Sequence, residues 1–189
     1  MSKFLKTYFD GYNKILNEFT ADPKNQEDLQ KAVDILKGLR ESNSTIYLIG
    51  NGGSSAIAEH MAIDLTKNAG LRAMAISGSP MLTTFSNDYG YEKVFQKAID
   101  SFGKAGDVLI AISSSGASKN ILNACKTAKD KNMRIITFSG FNNDNPLRKE
   151  GDINFWVDSK AFGYVEIIHN LLIHYINDAI IGSVEYMIR

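Results

Sequence analysis

The sequence predicts an α/β fold: a single doubly wound domain whose five-stranded parallel sheet carries helices on both faces and follows two N-terminal helices. Short apolar runs of strand length alternate with segments of helical periodicity, the pattern that builds parallel strands joined by right-handed crossovers. Two of these runs, Leu109-Ile110-Ala111-Ile112 and Ile135-Ile136-Thr137-Phe138, are almost continuously apolar, as expected of strands covered on both faces. The 189 residues lie within the ordinary size of one domain, and no composition shift or low-complexity stretch marks a second one.

Residues 3–19 and 27–41 have apolar positions at helical spacing, separated by Thr20-Ala21-Asp22-Pro23, a stretch of capping and turn residues that breaks a helix. From Thr45 the period changes. Strands are predicted at 46–49, 72–76, 108–112, 134–138 and 153–157, with helices at 56–68, 91–102, 118–132 and 163–181. Asn87 and Asp88 fall in a loop after residues 81–86. The expected organisation is 1–41 for the N-terminal helices, 42–182 for the core and 183–189 for a tail.

Charge narrows the function. Lys and Arg together number 21 and so do Asp and Glu, so no global field draws in nucleic acid or an anionic membrane. Any anion must be held locally. The one cysteine, Cys125, lies in a predicted helix without a partner, which suits a reducing compartment, and burial is its usual fate. The first residues are amphipathic and carry acids as well as bases, unlike a signal peptide, and no run reaches the roughly 18 apolar residues of a membrane span. A soluble, cytoplasmic protein is expected.

Two loops share one design. The first strand runs into Gly50-Asn51-Gly52-Gly53-Ser54-Ser55 before a helix, and the third into Ser113-Ser114-Ser115-Gly116-Ala117-Ser118 before another. A helix N-terminus presents unpaired N–H groups and the positive end of the dipole, glycine admits an anion to the backbone, and hydroxyls add donors. Ligands of open α/β sheets sit beyond the carboxyl ends of the strands, where both loops emerge. Glycine and serine more often serve as turns and caps, yet their repetition between strand and helix favours a phosphate cradle. A dinucleotide fingerprint would need glycine at Ser55 and an acid after the second strand, and no Walker-type loop occurs, so a small phosphorylated molecule such as a sugar is expected.

All three histidines lie on two predicted helices. His60 and Asp64 share a face at i, i+4. Glu166 and His174 are separated by about 80° of helical rotation, so both can address one pocket. Such a set could hold a divalent metal, most plausibly zinc, or a carboxylate and an imidazole could act as acid and base. A solvated pair for His60 and Asp64, and a packed core role for His174, are the ordinary alternatives. His169, about 60° from Glu166 and 140° from His174, is expected to pack rather than do chemistry.

The segments IGNGGSSAIAEH, SNDYGY, GDVLIAISSSGAS and EIIHNLLIH resemble successive motifs of the SIS (sugar isomerase) domain, specifically its phosphoheptose isomerase branch, over about residues 40–182. The resemblance implies isomerisation of sedoheptulose 7-phosphate to D-glycero-D-manno-heptose 7-phosphate for surface polysaccharide, through a cis-enediol. It also implies a homotetramer with active sites between subunits. By position, Asn51, Gly52, Gly53 and Ser54 with Ser113, Ser114, Ser115 and Ser118 would bind the phosphate and neighbouring hydroxyls. Asn87 and Asp88 would line the sugar, with Glu166 also against substrate. Asp64 and His174 stand at the catalytic positions, and His60, Asp64, Glu166 and His174 match the four positions that hold zinc in some members. Three residues depart from the family: Asp64 replaces glutamate, Glu166 replaces glutamine, and Gly163 replaces aspartate. A second reading is a non-catalytic SIS protein that binds a phosphosugar or the replication initiator. His174 argues for the enzyme, because a non-catalytic relative is expected to lack it.

Overall fold

The computed structural model describes residues 2–186. Helices α1 (Lys3–Ala21) and α2 (Pro23–Lys37) precede the sheet; β1 (Ile46–Gly50), α3 (Gly53–Lys67), β2 (Ala73–Ala75), α4 (Ser79–Tyr89) and α5 (Val94–Phe102) follow. The chain continues through β3 (Val108–Ser113), α6 (Lys119–Asp130), β4 (Arg134–Ser139), β5 (Ile153–Trp156) and α7 (Phe162–Ile181). The strands are all parallel in the order β2-β1-β3-β4-β5. The order reverses between β1 and β3, so the two cradle loops leave neighbouring strands at the switch point where such sheets bind ligands.

Alternation along each strand divides the core into two layers. Ile46 and Leu48 of β1, with Val108, Ile110 and Ile112 of β3 and Phe138 of β4, pack under α2, α3 and α7. Tyr47, Ile49, Leu109, Ala111 and Ile135 point the other way, against α5 and α6, with Phe95, Ile99, Ile121 and Cys125. Cys125 is fully buried there, and burial pushes its thiol up to about 12, so it stays an unreactive apolar filler. Early and late segments are joined: Tyr164 on α7 donates from its hydroxyl to the Tyr8 carbonyl at 2.8 Å, and the Arg40 guanidinium reaches the carbonyls of Ala69 and Ile180.

Several boundaries differ from the sequence reading. The Asp22-Pro23 break is one residue wide, because Asp22 caps Lys24 N–H and Pro23, whose fixed φ suits a first helical position, starts α2 at once. Residues 38–41 form a turn beyond that helix. Residues 79–89, with Asn87 and Asp88 expected in a loop, are helix α4, whose Met81, Leu82 and Phe85 pack half-buried against the core while none of its residues is fully buried. Residues 91–93 form a 3₁₀ turn before α5. The tail expected over 183–189 is described as far as Tyr186; residues 187–189 lie outside the described residues.

Gly50 lets α3 start against the sheet, since a Cβ there would lie 2.4 Å from the backbone carbonyl atoms of Ser54. Backbone cannot step aside as a side chain can, so Gly50→Ala is expected to lower stability by about 2 kcal/mol, the middle of the range for overpacking, read as an earlier denaturant midpoint.

Candidate active site

The first cradle loop turns at Gly52, with φ 53°, into α3, whose N-terminus carries no side-chain cap. The second leads to α6, capped by Ser118 without a side-chain bond to the helix. Gly116 shapes this second loop. Its φ is 62°, and a Cβ would fall 2.0 Å from Asn145 Oδ1; that buried amide donates to the carbonyls of Gly140 and Asn142 within its own crossover, and the Leu147 N–H donates to the Gly116 carbonyl at 3.0 Å, which ties the loop to that crossover.

Ser113 and Ser118 bring their hydroxyls within 3.2 Å of each other, and the buried Ser114 hydroxyl has no hydrogen-bond partner among the described residues. With Asn51, Ser54, Ser115, Phe162 and Glu166 these serines line a cleft of about 270 Å³. The Asn51 amide is also held by protein partners. It forms a reciprocal pair with the Asn120 amide, at 2.9 and 3.0 Å, and accepts from the Tyr91 hydroxyl at 2.7 Å. Its side chain therefore splints β1's loop to α6, and the loop's offer to a ligand is backbone and hydroxyl. Asn120 and Tyr91 were not singled out in sequence; an amide on the buried side of amphipathic α6 was the available signal.

Packing of α3 on α7 brings together what sequence could place only on separate helices. Asp64 Oδ2 lies 3.4 Å from His60 Nε2 and 3.8 Å from His174 Nδ1, and the two imidazoles meet edge to face with centroids 4.9 Å apart. One ligand atom from each of the three residues falls within 4.8 Å of the other two. Two ligands on a tetrahedral zinc, with bonds of about 2.0–2.2 Å, stand about 3.3–3.6 Å apart, so this donor set fits a divalent ion after small side-chain adjustments. The set is partly exposed, leaving room for a substrate atom.

Glu166 is not in that group. Its carboxylate lies over Gly53, where a Cβ would come within 2.8 Å of Oε1, and it lines both the serine cleft and an adjoining hollow bounded by His60, Ala56 and Asn170. The two features therefore adjoin, with Glu166 between them. Asn87 and Asp88 sit in the last turn of α4, exposed and bonded to each other at 2.9 Å, rather than in a loop; the helix, and not loop geometry, sets their direction. His169 is fully buried and donates from Nε2 to the Ser139 carbonyl at 3.0 Å, so it packs as expected. Another cleft of about 270 Å³ lies along edge strand β5, lined by Trp156 and Arg148, and no imidazole lines it.

Comparison with known proteins agrees with this architecture. The family model of the SIS domain matches residues 7–140. The chain belongs to the SIS domain family. A phosphoheptose isomerase of Buchnera aphidicola subsp. Acyrthosiphon pisum (strain Tuc7) is 34% identical over 182 residues, covering 90% of this chain and 94% of that protein. One from Helicobacter pylori (strain P12) is 37% identical over 161 residues, covering 82% and 83%. Among solved structures, phosphoheptose isomerase GmhA from Neisseria gonorrhoeae superposes with a TM-score of 0.87 at 30% identity, covering 94% of this chain and 98% of that one.

Proposed function

We propose that this chain is a phosphoheptose isomerase that interconverts sedoheptulose 7-phosphate and D-glycero-D-manno-heptose 7-phosphate. The observation that carries the reading is the junction of two chemically distinct features: a serine-rich cleft at two helix N-termini, and a His60–Asp64–His174 set whose His60 lines the adjoining hollow. The curated relatives named above are isomerases that share nearly the whole chain, which favours catalysis over a binding-only role.

In this reading the backbone of Gly52 and Gly53 and the hydroxyls of Ser54, Ser113, Ser114, Ser115 and Ser118 hold the phosphate. That binding energy orients a reacting carbon at the other end of the sugar. Asn51 keeps the loop in place through Asn120 and Tyr91. Asn87 and Asp88 face the sugar hydroxyls, as does Glu166 from above Gly53. Aldose–ketose exchange moves one proton between C1 and C2 and another between the two oxygens. His174 and Asp64 are the pair that moves them, one serving carbon and the other oxygen, through a cis-enediol. His60, Asp64 and His174 would hold a zinc ion, with Glu166 as a fourth candidate; bound there, the ion would polarise the substrate carbonyl.

The reading extends to assembly and place. Ile167, Leu171 and Tyr175 form an exposed apolar stripe at i, i+4, i+8 on α7, and Phe4 and Phe9 are exposed on α1. Such stripes favour association between copies, here a homotetramer. No helix among the described residues is long and apolar enough to cross a membrane, and the free thiol of Cys125 fits the cytoplasm. One domain, residues 1–189, would carry the whole activity.

Purified protein, chelated and then reconstituted with zinc, is expected to convert sedoheptulose 7-phosphate to the aldose phosphate. Folded protein that shows no turnover either with or without zinc rules out the heptose assignment and directs the search to other sugar phosphates.

A further inference from the structure

The two oxygens of Asp64 have different surroundings. Oδ2 faces the two imidazoles, whereas Oδ1 accepts from Asn68 Nδ2 at 3.1 Å. Asn68 is the C-cap of α3, and its backbone N–H donates to the Asp64 carbonyl at 2.8 Å, so both ends of the residue are tied to Asp64. The chain's last described residues come back to the same place. Gly182 ends α7 in the left-handed conformation and turns the chain, and Ser183 bonds Glu185 through both its hydroxyl proton and its oxygen. This brings the Tyr186 hydroxyl within 3.4 Å of Asn68 Nδ2 and 3.5 Å of Asn177 Nδ2.

We propose that Asn68, backed by Tyr186, is a positioning residue that locks the Asp64 carboxylate with Oδ2 directed at the gap between His60 and His174. An aspartate carboxylate rotates broadly about its last torsion and can present either oxygen. Engaging one oxygen with an amide donor removes that freedom and leaves the other for the site, the arrangement by which outer partners fix metal ligands and raise affinity. Tyr186 accepts from the Asn68 amide at the outer limit of hydrogen bonding, so its part is to limit that amide's rotation. Desolvation, followed by the negative charges of Asp178 and Asp64, raises the pKa of its phenol, which stays neutral beside the carboxylate. The use of Asp64 in isomerisation rests on the function proposed above, whereas its orientation does not.

The test pairs zinc affinity, measured by competition with a chelating dye, with steady-state kinetics on sedoheptulose 7-phosphate. Asn68→Ala is expected to weaken zinc binding by about tenfold or more, the usual effect of losing an outer partner, and to lower kcat by a similar factor with KM unchanged. Asn68→Asp, close in shape, is expected to give a larger kcat loss because it replaces the donor with a second carboxylate. Tyr186→Phe is expected to show a smaller loss in the same direction. A merely structural role for Asn68 would lower the unfolding midpoint of the chelated protein and move KM along with kcat. Wild-type zinc affinity and kcat in both Asn68 variants, or a wild-type protein that binds no zinc, overturns the proposal. The zinc arm decides the orientation even if the heptose phosphate proves not to be the substrate.

Discussion

His174→Ala is expected to lower kcat on sedoheptulose 7-phosphate by about a thousandfold, within the range for loss of a positioned acid or base, while KM stays within about a factor of three. The split follows from the layout. The phosphate end of the site is built by the β1 and β3 loops, whereas His174 comes from α7 and meets His60 and Asp64. Its side chain is 38% exposed, so removing the ring opens no cavity in the core and the unfolding midpoint should hold. Stopped-time product assays at saturating substrate, with circular dichroism of the same sample, read both halves. Full activity in a folded His174→Ala protein would remove His174 from the chemistry. A rise in KM with unchanged kcat would move it to substrate binding.

The second large effect concerns stability rather than rate. His169 is fully buried; Nε2 carries the proton given to the Ser139 carbonyl, and Nδ1 has no partner among the described residues. Protonating Nδ1 would place an unpaired charge in the core, so burial holds the imidazole's pKa down to about 4, against an ordinary value near 6.5. The unfolded chain therefore binds the proton first as pH falls, and stability decreases with it. Above about pH 6.5 the contribution is fully present; between 6.5 and 4 it drains away, by about 3 kcal/mol in all. Denaturant midpoints across pH 4 to 7 should show this slope, and His169→Gln, which keeps a donor without a titrating ring, should flatten it. An equal slope in that variant would assign the acid sensitivity to other groups.

The sheet was legible because its strands announce themselves. Runs such as Val108–Ser113 are apolar on both faces, and each predicted strand overlaps an observed one. Helices were legible where one stripe is fully buried, as in α6; in α4 the stripe of Met81, Leu82 and Phe85 is only half-buried, and its Ser, Thr, Asn and Asp content argues against a helix. Within the site, periodicity showed the residue types but not their convergence, which only the family resemblance implied. The approach of His60 to His174 depends on α3 and α7 packing on the same face of the sheet, a contact between segments more than a hundred residues apart. The Asn51–Asn120 pair was hidden for the same reason. Local pattern reports the period of an element; it does not report which neighbour its polar residues will find.

The packing of α7 over the layer built by α2, α3 and the sheet bears on the order in which the protein comes into being. The layer under α2 and α3 is roofed by Val165, Ile168, Leu172 and Ile176 of α7, which follows every strand of the sheet in chain order. During synthesis the strands and the phosphate loops emerge well before it, with that layer open to water and to other nascent chains. Such late closure of distant contacts is slow and leaves apolar surface available for aggregation. Because α7 also carries His174, the step that seals the core is the same step that completes the His60–Asp64–His174 set, so an incompletely made chain would be left both inactive and conspicuous to proteolysis.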